Sequence, residues 1–248
     1  MKALVTGASS GIGRDIAVKL SEMNYDVVLV SRSEKGLEET LKLCKNTAEI
    51  YVCDVSDVES CKKLFNKYKN IDILVNNAGF GNFGKFDKTD INNDLSMIDT
   101  NIKGLHILTK LYLAKMIEKD NGKILNVASM AAFMPGPLMS TYYASKSYVL
   151  RLTCAIYEEL RRNKSNVSVS VLCPGPVDTN FNNVADVNFA VKSMTSKFVA
   201  DYAIRKMFKN KLIIIPGFFN RLWIILSKFL SVKMLLKIDY NLQKKKEK

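Results

Sequence analysis

Tyr142 and Lys146 are four residues apart, a spacing that puts two side chains on one face of a helix. A free phenol has a pKa near ~10, too high to lose its proton readily at neutral pH. An ammonium group beside it favours the phenolate and lowers that value. The pair therefore suits proton transfer to and from an oxygen, as general acid in one direction and general base in the other. Tyr143 is adjacent but wrongly spaced from Lys146, and packing is the only role it is given. Ser129 closes the run Asn126-Val127-Ala128-Ser129. A hydroxyl there can hydrogen-bond a substrate oxygen and help to stabilise developing negative charge. Taken alone, a serine at a strand end is more often a turn residue or a helix cap.

A second constellation opens the chain. Lys2-Ala3-Leu4-Val5 runs into Thr6-Gly7-Ala8-Ser9-Ser10-Gly11-Ile12-Gly13. Glycines let a backbone turn tightly and approach a pyrophosphate closely, and a following helix offers the anion free N–H groups and a positive dipole end. A glycine-rich loop alone is weak evidence; a strand before it and a helix after it give it weight. In such units an acidic residue about 20 residues on holds the ribose 2′-hydroxyl of NAD. This chain has Ser31-Arg32 there, and arginine can pair with a 2′-phosphate. The expected cofactor is therefore NADP(H), with Arg14 as an auxiliary cation. Glu34 is set aside as the start of the next helix.

Elements that would position these residues follow from apolar patterning. Ala3–Val5, Val27–Val30, Ile50–Val52, Ile71–Val75, Ile124–Val127, Val167–Leu172 and Leu212–Ile215 are short apolar, β-branched runs, as in strands buried on both faces. Between them, Ile12–Met23 has apolar residues at 12, 16, 17 and 20 on one helical face, and Glu34–Cys44 and Asp57–Tyr68 are spaced similarly. The pattern predicts an α/β chain: a three-layer, doubly wound Rossmann fold with a parallel sheet of about seven strands. Residues 1–217 form its dinucleotide-binding and catalytic body, and 218–248 an apolar, basic helical extension of the same domain.

Several motifs in order resemble the short-chain dehydrogenase/reductase family, over Lys2 to about Gly217. Thr6-Gly-x-x-x-Gly-x-Gly13 is similar to its cofactor loop, which implies contacts from Gly7, Ser9, Ser10, Gly11, Ile12 and Gly13. Asp54-Val55 resembles the pair that touches the adenine ring. Asn76-Asn77-Ala78-Gly79 looks like the family's NNAG stretch, implying contacts from Asn77, Ala78 and Gly79. Pro174-Gly175-Pro176-Val177-Asp178-Thr179 resembles the segment along the nicotinamide, with Pro174, Gly175, Val177 and Thr179 as contacts. Asn101, Ser129, Tyr142 and Lys146 match the catalytic set in order. The resemblance implies that Lys146 also holds the nicotinamide ribose, and that Asn101, otherwise an ordinary polar helix residue, holds a water linking Lys146 to solvent. It implies an oxidoreductase that moves a hydride between a nicotinamide and a carbonyl or secondary alcohol. A cofactor-bound sensor without turnover is the alternative, and the intact Ser129, Tyr142 and Lys146 argue against it.

Bulk properties agree with a folded enzyme. Hydrophobic residues make up 48% and charged residues 25% of 248, too apolar for disorder. The net charge of +13 implies an anionic partner, such as a phosphorylated cofactor. No basic motif interleaved with aromatics supports nucleic-acid binding. Cysteines 44, 53, 61, 154 and 173 form no CxxC pair and are expected to be reduced core residues; His106 is read as structural. No signal peptide or uncharged apolar run of 18 residues is present, so a cytoplasmic location is expected. After Gly217 the chain turns apolar, with Trp223 among Phe, Ile and Leu and with Arg221, Lys228, Lys233 and Lys237 interspersed. That tail is expected to pack over the cleft or on another subunit of a homo-oligomer, with an interfacial membrane helix as the second reading. Phe181, Val184, Val187, Phe189 and Met194, between Phe181 and Lys197, point to an apolar substrate.

Overall fold

In the first strand, β1 (Lys2–Thr6), neighbouring side chains go to opposite faces: Ala3 and Val5 join one core, Leu4 the other. The same division holds along β2 (Asp26–Ser31), β4 (Ile73–Asn76), β5 (Lys123–Val127) and β6 (Ser168–Leu172). With β3 (Ala48–Val52) and β9 (Ile213–Ile214) they form a parallel sheet in the order β3-β2-β1-β4-β5-β6-β9. The seven strands and their parallel sense are as the apolar runs predict. A two-residue pair, β7 (Val177–Asp178) with β8 (Met194–Thr195), lies outside that sheet and is too short to leave a pattern in sequence. The computed structural model describes residues 1–179 and 193–244. Phe181, Val184, Val187 and Phe189 therefore lie outside the described residues.

Each face of the sheet is covered by helices. On one side α1 (Gly11–Glu22) inserts Ile16, Ala17 and Leu20 beside α2 (Glu34–Leu41), while α7 (Ser196–Met207) adds Val199, Ala203, Ile204 and Met207. On the other, α3 (Val58–Lys67), α5 (Leu105–Glu118) and α6 (Ser140–Arg162) pack Leu64, Tyr112 and Ile156. Fully burying a Leu or Ile contributes about 1.5–3 kcal/mol, so two such cores dominate the stability of the three layers. The second helix stops three residues short of the predicted Cys44. Its chain is drawn off the axis because Ser21 Oγ accepts from the N–H groups of Lys45 (2.8 Å) and Asn46 (2.7 Å). Asp57 caps α3 by accepting from Ser60 N–H at 2.7 Å.

Two features beyond the Rossmann layers shape the site. Between α4 (Ile91–Ile98) and α5, residues Asp99–Gly104 form a π-helical turn that contains Asn101; such turns are rare and tend to accompany functional sites. After β9, α8 (Phe218–Ser227) and α9 (Val232–Lys244) lie across the mouth of the cleft at the carboxyl ends of the strands.

Candidate active site

The strand order reverses between β1 and β4, the position at which doubly wound sheets open a crevice. A cleft of about 1160 Å³ lies there. Its floor is the glycine loop. Gly7 and Gly11 hold φ of +65° and +54°, which side chains rarely adopt. Thr6 Oγ1 accepts from the N–H groups of Asn77 (3.0 Å) and Ala78 (3.1 Å), and Asn77 Nδ2 donates to the carbonyls of Thr6 and Gly7. These bonds tie the predicted Asn77-Ala78-Gly79 stretch to the loop. Ser10, the N-cap of α1, makes no side-chain cap, so the first N–H groups of the helix face the cleft. A Cβ on Gly13 would stand 2.3 Å from the Gly7 carbonyl oxygen and 2.3 Å from Asn77 Nδ2. Gly13→Ala should therefore spread the loop, lower the melting temperature and weaken dinucleotide binding together; overpacking of this kind costs about 1–3 kcal/mol. A variant that melts and binds cofactor like the wild type would refute that close approach.

Arg32 lines the cleft beyond β2 with its side chain 66% exposed, 3.8 Å from Asp54 Oδ2. An exposed pair at that distance is weak, so the guanidinium is available to another anion. Arg14 is committed elsewhere: it donates to the Ser9 carbonyl (2.7 Å) and to Glu39 Oε2 (3.0 Å). It braces the loop and does not line the cleft, contrary to its expected part as an auxiliary cation. Asp54 Oδ1 accepts from Ser56 N–H and hydroxyl, which fixes the turn that carries Val55.

Deeper in, α6 presents Tyr142 and Lys146 to the cleft, as their spacing predicts. Lys146 is buried and donates to the Val127 carbonyl at 3.1 Å; its Nζ stands 5.8 Å from the Tyr142 ring centre. Burial lowers its pKa to about 8. Burial also pushes Tyr142 up to about 12, opposed by a hydrogen bond with Ser129. The expected depression of the phenol by Lys146 is therefore not what this geometry gives, because desolvation disfavours charge on both groups. Asn101 is fully buried, exchanging hydrogen bonds with the backbone of Phe80 and donating to Ser145 Oγ at 3.0 Å. A Cβ on Gly79 would meet Asn101 Oδ1 at 2.8 Å and Lys146 Nζ at 3.2 Å, so this glycine lets the two approach. Ser129 follows β5, and its Oγ also accepts from Ala131 N–H at 3.1 Å. Pro174, Gly175, Val177 and Thr179 line the opposite wall.

Some participants leave no trace in local sequence. Tyr143 lines the cleft, and its hydroxyl receives a hydrogen bond from Gln243 of α9, with Asp239 beside it. Burial and Asp239 hold that phenol well above the usual range. Its role exceeds packing: it fastens the C-terminal helix to the site. Asn76, Asn126, Thr109 and Thr153 are joined by buried hydrogen bonds of 2.9–3.0 Å that lock β4 and β5 to α5 and α6. His106 bonds to the Tyr148 hydroxyl at 2.7 Å, away from the cleft, as a structural role requires. All five cysteines are free, and burial pushes Cys53 to about 11 and Cys61 to about 12. Among the described residues no acid, cysteine and histidine cluster could hold a metal.

The family model described as short chain dehydrogenase matches residues 1–188. An uncharacterised oxidoreductase of Staphylococcus epidermidis is 34% identical over 207 residues, covering 82% of this chain and 88% of its own. A 3-oxoacyl-acyl-carrier-protein reductase of Rickettsia prowazekii is 33% identical over 174 residues, covering 70% of this chain and 71% of its own. A short chain dehydrogenase/reductase of Burkholderia phymatum, solved in complex with NAD, superposes with a TM-score of 0.83 over 92% of each chain at 24% identity. That last likeness concerns the fold.

Proposed function

The chain belongs to the short chain dehydrogenase family of oxidoreductases, which interconvert CH–OH and C=O groups, and from that premise we propose an NADP(H)-dependent reductase of apolar carbonyl compounds. One observation carries the reading: Ser129, Tyr142 and Lys146 share a cleft with the glycine loop and Arg32. The positive-φ glycines and the uncapped start of α1 fit a pyrophosphate, and the exposed Arg32 fits a 2′-phosphate. In this reading the nicotinamide supplies or accepts the hydride. The Tyr142 hydroxyl gives its proton to the alkoxide oxygen in reduction and takes it back in oxidation. Ser129 donates a hydrogen bond to that oxygen, and Lys146 holds a positive charge beside the phenol and would hold the nicotinamide ribose. Asn101, tied to Phe80 and Ser145, would hold the water that links Lys146 to solvent. The remaining contacts are the glycine loop (Gly7, Ser9 to Gly13), Asp54-Val55, Asn77 to Gly79, and Pro174, Gly175, Val177 and Thr179.

Met130, Met134, Met139, Leu222 and Trp223 line the cleft, which favours an apolar substrate. The test is a panel of carbonyls, from 3-oxoacyl thioesters to bulky ketones, with NADPH oxidation followed optically. No turnover of any member with either nicotinamide cofactor would end the proposal. For the cofactor, Arg32→Ala should weaken NADPH by about 1.5 kcal/mol, roughly tenfold, and leave NADH unchanged, because an exposed charge-assisted bond sits at the low end of its range. Equal losses for both cofactors would show that Arg32 does not read the 2′-phosphate.

The reading takes residues 1–217 as the catalytic body and 218–248 as a helical extension of the same domain. It includes a homo-oligomer, supported by the exposed stripe Ile91, Leu95 and Ile98 on α4, and a cytoplasmic location, consistent with five free cysteines. Among the described residues no helix is long and apolar enough to cross a membrane.

A further inference from the structure

The first of the two C-terminal helices is turned the opposite way from a water-facing one. Phe218, Phe219, Leu222, Ile225 and Leu226 of α8, with Phe229 just beyond it, are exposed and fall on one helical stripe. Phe219 and Phe229 are each 82% exposed. On α9 the exposed Val232, Leu236 and Tyr240 stand three residues before the buried Leu235, Asp239 and Gln243, at the edge of the same side, and Lys233, Lys237 and Asn241 face outward. A surface helix in water hides its apolar stripe and shows its polar one; α8 buries Ile224 and Ser227 and turns its aliphatic and aromatic stripe to solvent. Trp223 does not belong to this face, since it is half-buried and lines the cleft.

Charge identifies the occupant. Arg221, Lys228, Lys233 and Lys237 are exposed around the apolar rows. The acid among residues 218–244, Asp239, is turned inward. The sequence then ends Lys245-Lys246-Glu247-Lys248. A second copy seated here across a two-fold axis would bring like charges into opposition in a low-dielectric contact. A bilayer with anionic headgroups meets both features: acyl chains take the aromatic and aliphatic side chains, and headgroups take the ammonium and guanidinium groups. We propose that the exposed apolar face of α8, with the cations around it, docks the protein on the surface of an anionic membrane. The docked face adjoins the cleft, because Phe219, Leu222 and Leu226 are exposed on it and also line the cavity. The attachment itself does not depend on the catalytic reading.

The experiment is sedimentation of the full-length protein with phosphatidylcholine vesicles, with and without phosphatidylglycerol, at low and high salt. A triple variant, Phe218→Ser with Ile225→Ser and Phe229→Ser, changes exposed positions that do not line the cleft. The wild type should pellet with the phosphatidylglycerol vesicles, about tenfold less with phosphatidylcholine alone or at high salt, since headgroup attraction is screened. The triple variant should remain in the supernatant while keeping its melting temperature and NADPH binding. Three results would overturn the proposal: a wild type that stays soluble with phosphatidylglycerol at low salt, a triple variant that pellets like the wild type, or a triple variant that turns a lipid-free dimer into a monomer. The last would make a second copy the occupant.

Discussion

Tyr142→Phe is expected to cut turnover by about three to four orders of magnitude while cofactor affinity stays near that of the wild type. The substitution keeps the ring, its contact with Tyr143 and its place on α6. It removes the hydroxyl that meets Ser129 and stands closest to the chemistry. Because burial holds this phenol near 12, it is protonated throughout the neutral range. Carbonyl reduction, which consumes the proton, should therefore lose nothing to titration of Tyr142 until strongly alkaline conditions, and a fall that begins near pH 8 belongs to Lys146. Alcohol oxidation, which needs the phenolate, should rise with pH. Steady-state rates in both directions, with cofactor titrations on both proteins, check this. A Phe variant that retained more than a few per cent of wild-type kcat would remove Tyr142 from the mechanism.

Lys146→Met separates function from stability. Both the rate and NADPH affinity should fall, the rate by about a hundredfold or more, if the residue serves the phenol and the ribose as proposed. The folded protein should nonetheless be as stable or more so at pH 7. Burial lowers the Lys146 pKa from 10.5 to about 8, so the folded state binds its proton less tightly than the unfolded chain. That depression corresponds to a destabilisation on the order of 3 kcal/mol, offset in part by the bond to the Val127 carbonyl. The sign follows: the cost is fully present below pH 8, shrinks as pH rises from 8 to 10.5, and is absent above. The melting-temperature gap between the variant and the wild type should close over the same window. A gap that widened there, or a variant less stable at pH 7 and equal at pH 10, would show that Lys146 is charged at no cost in the fold.

What was legible in sequence was mostly local. The glycine loop, the Tyr142–Lys146 spacing and Arg32 at the end of β2 each depend on residues within one element or one turn. Their backbone geometry is set by neighbours in the chain, so spacing suffices to place them on one face or at one loop. The seven apolar runs became seven strands because a strand buried on both faces must be apolar along its whole length. Where prediction missed, distant groups decided. Ser21 captured Lys45 and Asn46 and ended α2 early. Glu39 and the Ser9 carbonyl took Arg14 away from the cleft.

By itself, the sequence determined the doubly wound layers, the glycine loop and which side chains α6 turns toward the carboxyl ends of the strands. Tertiary structure alone decided the electrostatics of that site. An ammonium four residues away would depress a phenol in water, but here the cleft withdraws water from both groups, and desolvation is the largest influence on each. It also decided the tail. Composition marked residues 218–248 as apolar and basic, yet could not say which side faced inward, since that depends on what the helices meet. Tyr143, one hundred residues before Gln243, supplies the partner that draws the polar side of α9 onto the cleft. With that side held inward, helical geometry leaves Lys233, Lys237 and Asn241 facing out.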